Sequence, residues 1–139
     1  MSAAFIIDCS ITMTWCFGDE ATPASSAVLD RLERETALVP AHWFLEVTNV
    51  LAMAEKRQRI TPVASHEFLT LLGTLDIEVD DHATSHAFTQ LLPLCRTHRL
   101  TSYDAAYLEL ASRRQLPLAS LDDALCASAR TLGMPVLGK

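Results

Sequence analysis

A chain of 139 residues, half of them hydrophobic and 20% charged, is large enough to bury its own core and too apolar for disorder. Its formal net charge of −6, from 17 acids and 11 bases, argues against a protein that coats DNA by charge alone. It has no apolar run near the roughly 18–20 residues of a membrane span. No basic region precedes the first short apolar run, and the four cysteines (Cys9, Cys16, Cys95 and Cys126) form neither a C-x-x-C pair nor a zinc knuckle. One domain over residues 1–139, cytoplasmic and with reduced thiols, is expected.

Phe5–Asp8 reads as a first strand, apolar without alternation, as in a parallel sheet covered on both faces. Ser10 is placed to cap a short helix that Gly18 stops. Pro23 opens a second helix, and Ala37–Val39 is a brief second strand before Pro40. A long helix over His42–Arg57 carries Trp43, Val47, Val50, Leu51 and Ala54 at helical spacing. Thr61-Pro62 begins another that stops near Gly73, and Ile77–Val79 is a third strand. A helix from Asp80-Asp81 runs through His86, Phe88, Leu91 and Leu92 with Pro93 inside it, which predicts a kink or a shortening. The stretch Leu100–Ala111 predicts a helix capped by Thr101 or Ser102, with Asp104 in its first turn and Tyr107, Leu108 and Ala111 on a core-facing stripe. Leu116–Ala119 is a fourth strand, Asp122 starts a helix that Gly133 stops, and Pro135–Leu137 is a fifth strand. Short apolar strands alternating with helices predict an α/β layer fold around a mostly parallel sheet, with ligands beyond the carboxyl ends of the strands.

Four acids sit where that edge should be. Asp8 ends the first strand, either as a turn or cap residue or as a ligand. Asp122 is an N-cap or a ligand, and Asp104 is a first-turn acid that suits the helix dipole. Glu46 lies three residues from Trp43 and four from Val50, on or beside the apolar face of its helix. A carboxylate there must be neutralised, paired with Arg or Lys, or bound to a cation. Gathered acids repel unless cations are present, and carboxylate oxygens suit Mg²⁺ or Mn²⁺, which can activate water for attack on a phosphodiester. Setting four acids aside leaves 13 against 11, a nearly balanced surface.

The segments Phe5-Ile6-Ile7-Asp8-Cys9-Ser10, His42 to Leu51, Leu100 to Ala111 and Leu116 to Asp122 together resemble the successive motifs of PIN-domain ribonucleases, most closely the VapC toxins of toxin–antitoxin pairs. The resemblance runs nearly end to end, and Tyr103-Asp104-Ala105-Ala106-Tyr107 is its most specific part. It implies a PIN-like three-layer α/β sandwich with a small, mostly parallel sheet of about five strands, and divalent-metal-dependent cleavage of RNA to 5′-phosphate and 3′-hydroxyl ends. It also implies a small antitoxin that blocks the site and a toxin homodimer. Carried over by position, Asp8, Glu46, Asp104 and Asp122 are the metal and catalytic acids. Ser10 and Ser120 support them, and Asp123 is a neighbour whose side chain could also approach the metals. Arg57, Arg59, Arg96, Arg99, Arg113 and Arg114 are candidates for phosphate contacts, or simply solvated helix ends.

Two alternatives share these residues. Asp8-Cys9-Ser10-Ile11-Thr12 resembles the D-x-D-x-T start of haloacid-dehalogenase phosphatases, but Ser10 replaces the second Asp, and Lys56 and Lys139 are the only lysines. A catalytically silent interaction module on the same fold is the other. His82 and His86, four apart on a helix, read as surface histidines rather than as a metal pair.

Overall fold

The apolar runs form the middle of the structure, a computed structural model that describes residues 2–139. Five strands, β1 (Ala3–Ile7), β2 (Thr36–Pro40), β3 (Ile77–Asp80), β4 (Leu118–Ala119) and β5 (Val136–Leu137), make one parallel sheet in the order β3-β2-β1-β4-β5. Phe5, Ile6, Ile7, Ala37, Val39, Leu118 and Ala119 are fully buried, as strands covered on both faces must be. Edge strand β3 is less covered, and Val79 is exposed.

Eight α-helices among the described residues complete the three-layer α/β sandwich: α1 (Cys9–Thr14), α2 (Pro23–Arg31), α3 (Trp43–Lys56), α4 (Pro62–Gly73), α5 (His82–Ser85), α6 (Leu92–His98), α7 (Ser102–Arg114) and α8 (Asp123–Thr131). Their starts follow the caps in the sequence. Thr22, Thr61, Thr101 and Asp122 each accept a first-turn N–H, with Pro23 and Pro62 in the first turns that follow.

Three local expectations are corrected. Asp8, not Ser10, caps α1, accepting the Ile11 N–H at 3.0 Å, and α1 ends before Gly18, which begins a separate 3-10 turn. The kinked helix around Pro93 is instead α5, one wide π turn over Ala87–Leu91, and α6 with Pro93 in its first turn, where a missing N–H is harmless. Helix α7 has no single core-facing stripe. Every residue from Ala105 to Ala111 is buried, because the helix packs against β1, β2, β4 and α8 at once.

That burial takes in Glu109, which sequence reasoning passed over. Its carboxylate accepts from Arg113 Nε at 2.7 Å, while the other guanidinium nitrogens grip Asp80 at 2.8 and 3.1 Å. This forked arrangement fastens the end of α7 to the end of β3. Arg113 is therefore not a free phosphate contact. Arg59 is similarly held by Asp19 and Glu20 and lies 3.9 Å over the Phe17 ring.

Helices α1 and α3 are joined through Thr12, which is fully buried. Its hydroxyl donates to the Asp8 carbonyl at 2.7 Å and accepts from the Trp43 indole N–H at 3.1 Å. Thr12→Val keeps the shape but orphans a buried donor, so a lower urea midpoint is expected, corresponding to a loss of about 1–3 kcal/mol. An unchanged midpoint would show that the tie contributes nothing.

Candidate functional site

Strand order explains where the acids meet. After β1 the chain turns toward β2, and after β4 it turns the opposite way toward β5. Adjacent strands that send their connections apart open a crevice at their carboxyl ends. Asp8 leaves β1 and Ser120-Leu121-Asp122 leave β4 into that crevice.

Asp8 is 4% exposed and well supplied with donors. Its Oδ1 accepts from Ser10 Oγ at 2.7 Å and from the Ile11 N–H, and its Oδ2 accepts from Ser120 Oγ at 2.5 Å. Ser10 Oγ in turn accepts the Leu121 N–H at 2.9 Å, and Ser120 Oγ accepts the Asp122 N–H at 3.0 Å. Asp122 spends Oδ1 on the Leu125 N–H at 2.8 Å as the cap of α8. Oδ2 of Asp8 retains a lone pair, and Oδ2 of Asp122 has no hydrogen-bond partner among the described residues.

The other two acids arrive on helices. Asp104 lies half-buried in the first turn of α7, and among the described residues its carboxylate takes part in no hydrogen bond or ion pair. Glu46 sits in the first turn of α3. The sequence predicted an Arg or Lys partner for it, or a cation. In the structure its protein partners are the Tyr107 hydroxyl, which donates to Oε1 at 2.6 Å, and the His42 ring, 3.5 Å from the same oxygen.

The carboxyls act on one another electrostatically. Burial pushes Asp8 up to about 6, against the pull of its three hydrogen bonds and with a further push from Asp104. Asp104 is raised by burial, then by the charges of Asp122 and Glu46, with His42 acting the other way. Burial, Glu46 and Asp8 push the Cys9 thiol up to about 12, so it is a protonated spectator at neutral pH. Tyr107 is raised far above the usual phenol range by burial and by its bond to Glu46, so it remains a donor.

The donor set is all oxygen and of one charge, the chemistry that a hard divalent cation takes. Asp104, with no protein partner for either oxygen among the described residues, is where that fit is most open. Among the described residues no three His, Cys, Asp or Glu side chains already stand close enough to hold an ion.

Asp123, the neighbour of Asp122, is 92% exposed at its side chain and paired with Lys139, away from this cluster. His82 and His86 stack with ring centroids 3.8 Å apart and 4° between planes, and His82 Nε2 bonds to Gln90. Sequence reasoning missed Tyr107 and His42 as partners of Glu46. The available signals were the spacing of Tyr107 three residues after Asp104 and of His42 four before Glu46.

The sequence model of the PIN domain matches residues 5–130. Ribonuclease VapC12 of Mycobacterium tuberculosis, in strains CDC 1551 / Oshkosh and ATCC 25618 / H37Rv, is 34% identical over 108 residues, covering 77% of this chain and 80% of that protein. Among solved structures, PAE2754 from Pyrobaculum aerophilum superposes with a TM-score of 0.72 at 19% identity, covering 98% of this chain and 92% of that one. A toxin–antitoxin complex from Klebsiella pneumoniae gives 0.61 at 14% identity, covering 89% and 91%. At these identities the two structures share the fold.

The raised pKa of Asp8 fixes a sign. The folded chain holds this proton up to about pH 6, whereas the unfolded chain releases it near 3.8. Folding stability of the metal-free protein should therefore fall as pH rises between those values, by about 3 kcal/mol from this group alone. Asp8→Asn should unfold at higher urea than the parent at pH 7.5, with the difference closing near pH 4. Equal midpoints at both pH values would contradict the assignment.

Proposed function

The chain belongs to the PIN-domain family, among its VapC-type ribonucleases, and on that premise we propose that it is a divalent-metal-dependent endoribonuclease acting as the toxin of a toxin–antitoxin pair. The observation that carries this reading is a contrast within the acids. Asp8, Asp104 and Asp122 come from three separate segments into mutual repulsion, and among the described residues none is paired with Lys or Arg. Membership of the family over residues 5–130 sets the phosphatase alternative aside.

In this reading Asp8 and Asp104 hold the ion, and Asp122 completes the site through its free oxygen. When bound, Mg²⁺ or Mn²⁺ supplies Lewis-acid stabilisation of the phosphodiester and lowers the pKa of a water. Glu46, whose Oε2 has no protein partner among the described residues, would be a further ligand or would position the attacking water. Ser10 and Ser120 fix the Asp8 carboxylate in rotation, each bonded to a different oxygen. Arg57, Arg96 and Arg99, without ion pairs among the described residues, are the arginines left to meet the RNA backbone. In-line attack leaves a 5′-phosphate and a 3′-hydroxyl, without use of the ribose 2′-hydroxyl.

The purified protein should cleave RNA with Mg²⁺ or Mn²⁺ and lose this in EDTA. Asp8→Asn and Asp104→Asn should reduce cleavage to background. Asp123→Asn, which removes only an exposed ion pair, should stay within about twofold of the parent. Cleavage that persists in EDTA, or full activity in both site variants, would refute the reading.

An all-acid site also sets the chemistry of an inhibitor. We propose a small antitoxin that places a basic or aromatic side chain against the carboxylates, and a toxin homodimer as the unit it binds. Co-expression with the product of the neighbouring small open reading frame should give a complex on size-exclusion chromatography that no longer cuts RNA. Separate elution of the two proteins would reject the pairing.

A further inference from the structure

Glu46 is held without being neutralised by Lys or Arg, and the manner of holding is specific. Tyr107 Oη donates to Oε1 at 2.6 Å. His42 Nε2 is 3.5 Å from that oxygen and 3.0 Å from the carbonyl of Tyr103. A carbonyl only accepts, so Nε2 carries a hydrogen, and the backbone of α7 fixes the tautomer. The His42 ring also meets Tyr107 edge-on, with centroids 5.1 Å apart at 66°.

The positions of these contacts matter. Tyr103 immediately precedes Asp104, and Tyr107 follows it by one helical turn. The start of α3 is thus tied to α7 on both sides of Asp104, by side chains 61 residues apart in sequence. Tyr107 is 1% exposed and locked in the core, so its hydroxyl is a rigid reference point. Both contacts meet Glu46 at Oε1, and Oε2 has no protein partner among the described residues.

We propose that Tyr107 and His42 are positioning residues that set the separation of Glu46 from Asp104 for the divalent cation, acting through Glu46 Oε1. This rests on the metal-dependent reading above. It assigns a role to two residues outside the set of acids and serines. Glu46 is partly open to solvent, so water can take the place of the Tyr107 hydroxyl or of the adjacent His42 ring, and loss of either loosens the carboxylate without unfolding the protein.

The test is calorimetric titration of Mn²⁺ into the purified full-length chain, alongside steady-state RNA cleavage. Tyr107→Phe removes only the hydroxyl. It should weaken Mn²⁺ binding about tenfold and lower kcat by a similar factor, with KM for RNA unchanged. In a Glu46→Ala background the same change should shift Mn²⁺ affinity by less than about twofold, because the carboxylate through which it acts is already gone. His42→Gln, which keeps an N–H donor, should restore most of what His42→Ala loses. Parental Mn²⁺ affinity and kcat in Tyr107→Phe would overturn the inference. So would an equal loss in the Glu46→Ala background, or no difference between His42→Gln and His42→Ala. If the parent itself binds no Mn²⁺, the metal-site reading fails first, and the positioning role falls with it.

Discussion

A carboxylate buried at the end of the central strand has to be hydrogen-bonded, and much of the crevice is built from meeting that need at Asp8. Its donors come from two directions: Ser10 and the Ile11 N–H from the start of α1, and Ser120 from beyond β4. The same hydroxyls accept backbone N–H groups from Leu121 and Asp122. A handful of bonds therefore satisfies the acid, closes the seam between β1 and β4, and sets the direction in which α8 departs. Even so, the bonds do not offset the burial, and Asp8 remains raised. The fold keeps an acid that its own donors stabilise only in part, an arrangement more typical of functional sites than of structural ones.

The remaining charges sharpen that contrast. Asp80 and Glu109 share Arg113, Asp19 and Glu20 share Arg59, Glu35 meets Arg31, and Asp123 meets Lys139. Among the described residues these acids meet Lys or Arg, whereas none of the four acids of the crevice does. A net charge of −6 is then a local property more than a global one: setting aside the four acids of the crevice leaves a nearly balanced remainder. The start of α7 adds to this. The helix dipole favours the ionised form of Asp104, yet burial and the charges of Asp122 and Glu46 prevail and raise it. Local electrostatics alone would have made Asp104 an ordinary first-turn acid.

What the sequence disclosed follows the range of the interactions involved. Strand positions were legible because fully buried parallel strands are short unbroken apolar runs, and helix starts were legible because Thr22, Thr61, Thr101 and Asp122 cap through bonds three residues long. Asp8 was legible as a strand-end acid and as a possible cap, but the sequence did not choose between it and Ser10 for α1, since the two offer equivalent oxygens two residues apart. The burial of α7 on all sides escaped periodicity because small residues, Ala105, Ala106 and Ala111, let neighbours approach where no apolar stripe marks a face. Glu109 read as a solvated charge, and only the fold brings Asp80 and Arg113 to it. The choice between Asp122 and Asp123 was likewise not local. Asp123 turns toward Lys139 at the end of the chain, a contact that follows from β5 lying beside β4.

The Tyr107 hydroxyl bonded to Glu46 shows what an uncharged donor offers a site of this type. An arginine against Glu46 would neutralise it and compete with any cation for the same oxygens, whereas a phenol restrains the carboxylate and leaves its charge in place. Tyr107 suits that task because burial and the adjacent carboxylate push its own ionisation far out of reach, so it donates at any physiological pH. The geometry also separates two requirements that often conflict. Oε1 is used for orientation, and Oε2 is left for chemistry. Asp8 and Asp122 divide their oxygens in the same sense, each spending one on the N-terminus of a helix. The crevice thus fixes carboxylates through one oxygen while leaving the other less committed, and it does so with neutral donors, so that its negative charge stays available to a cation.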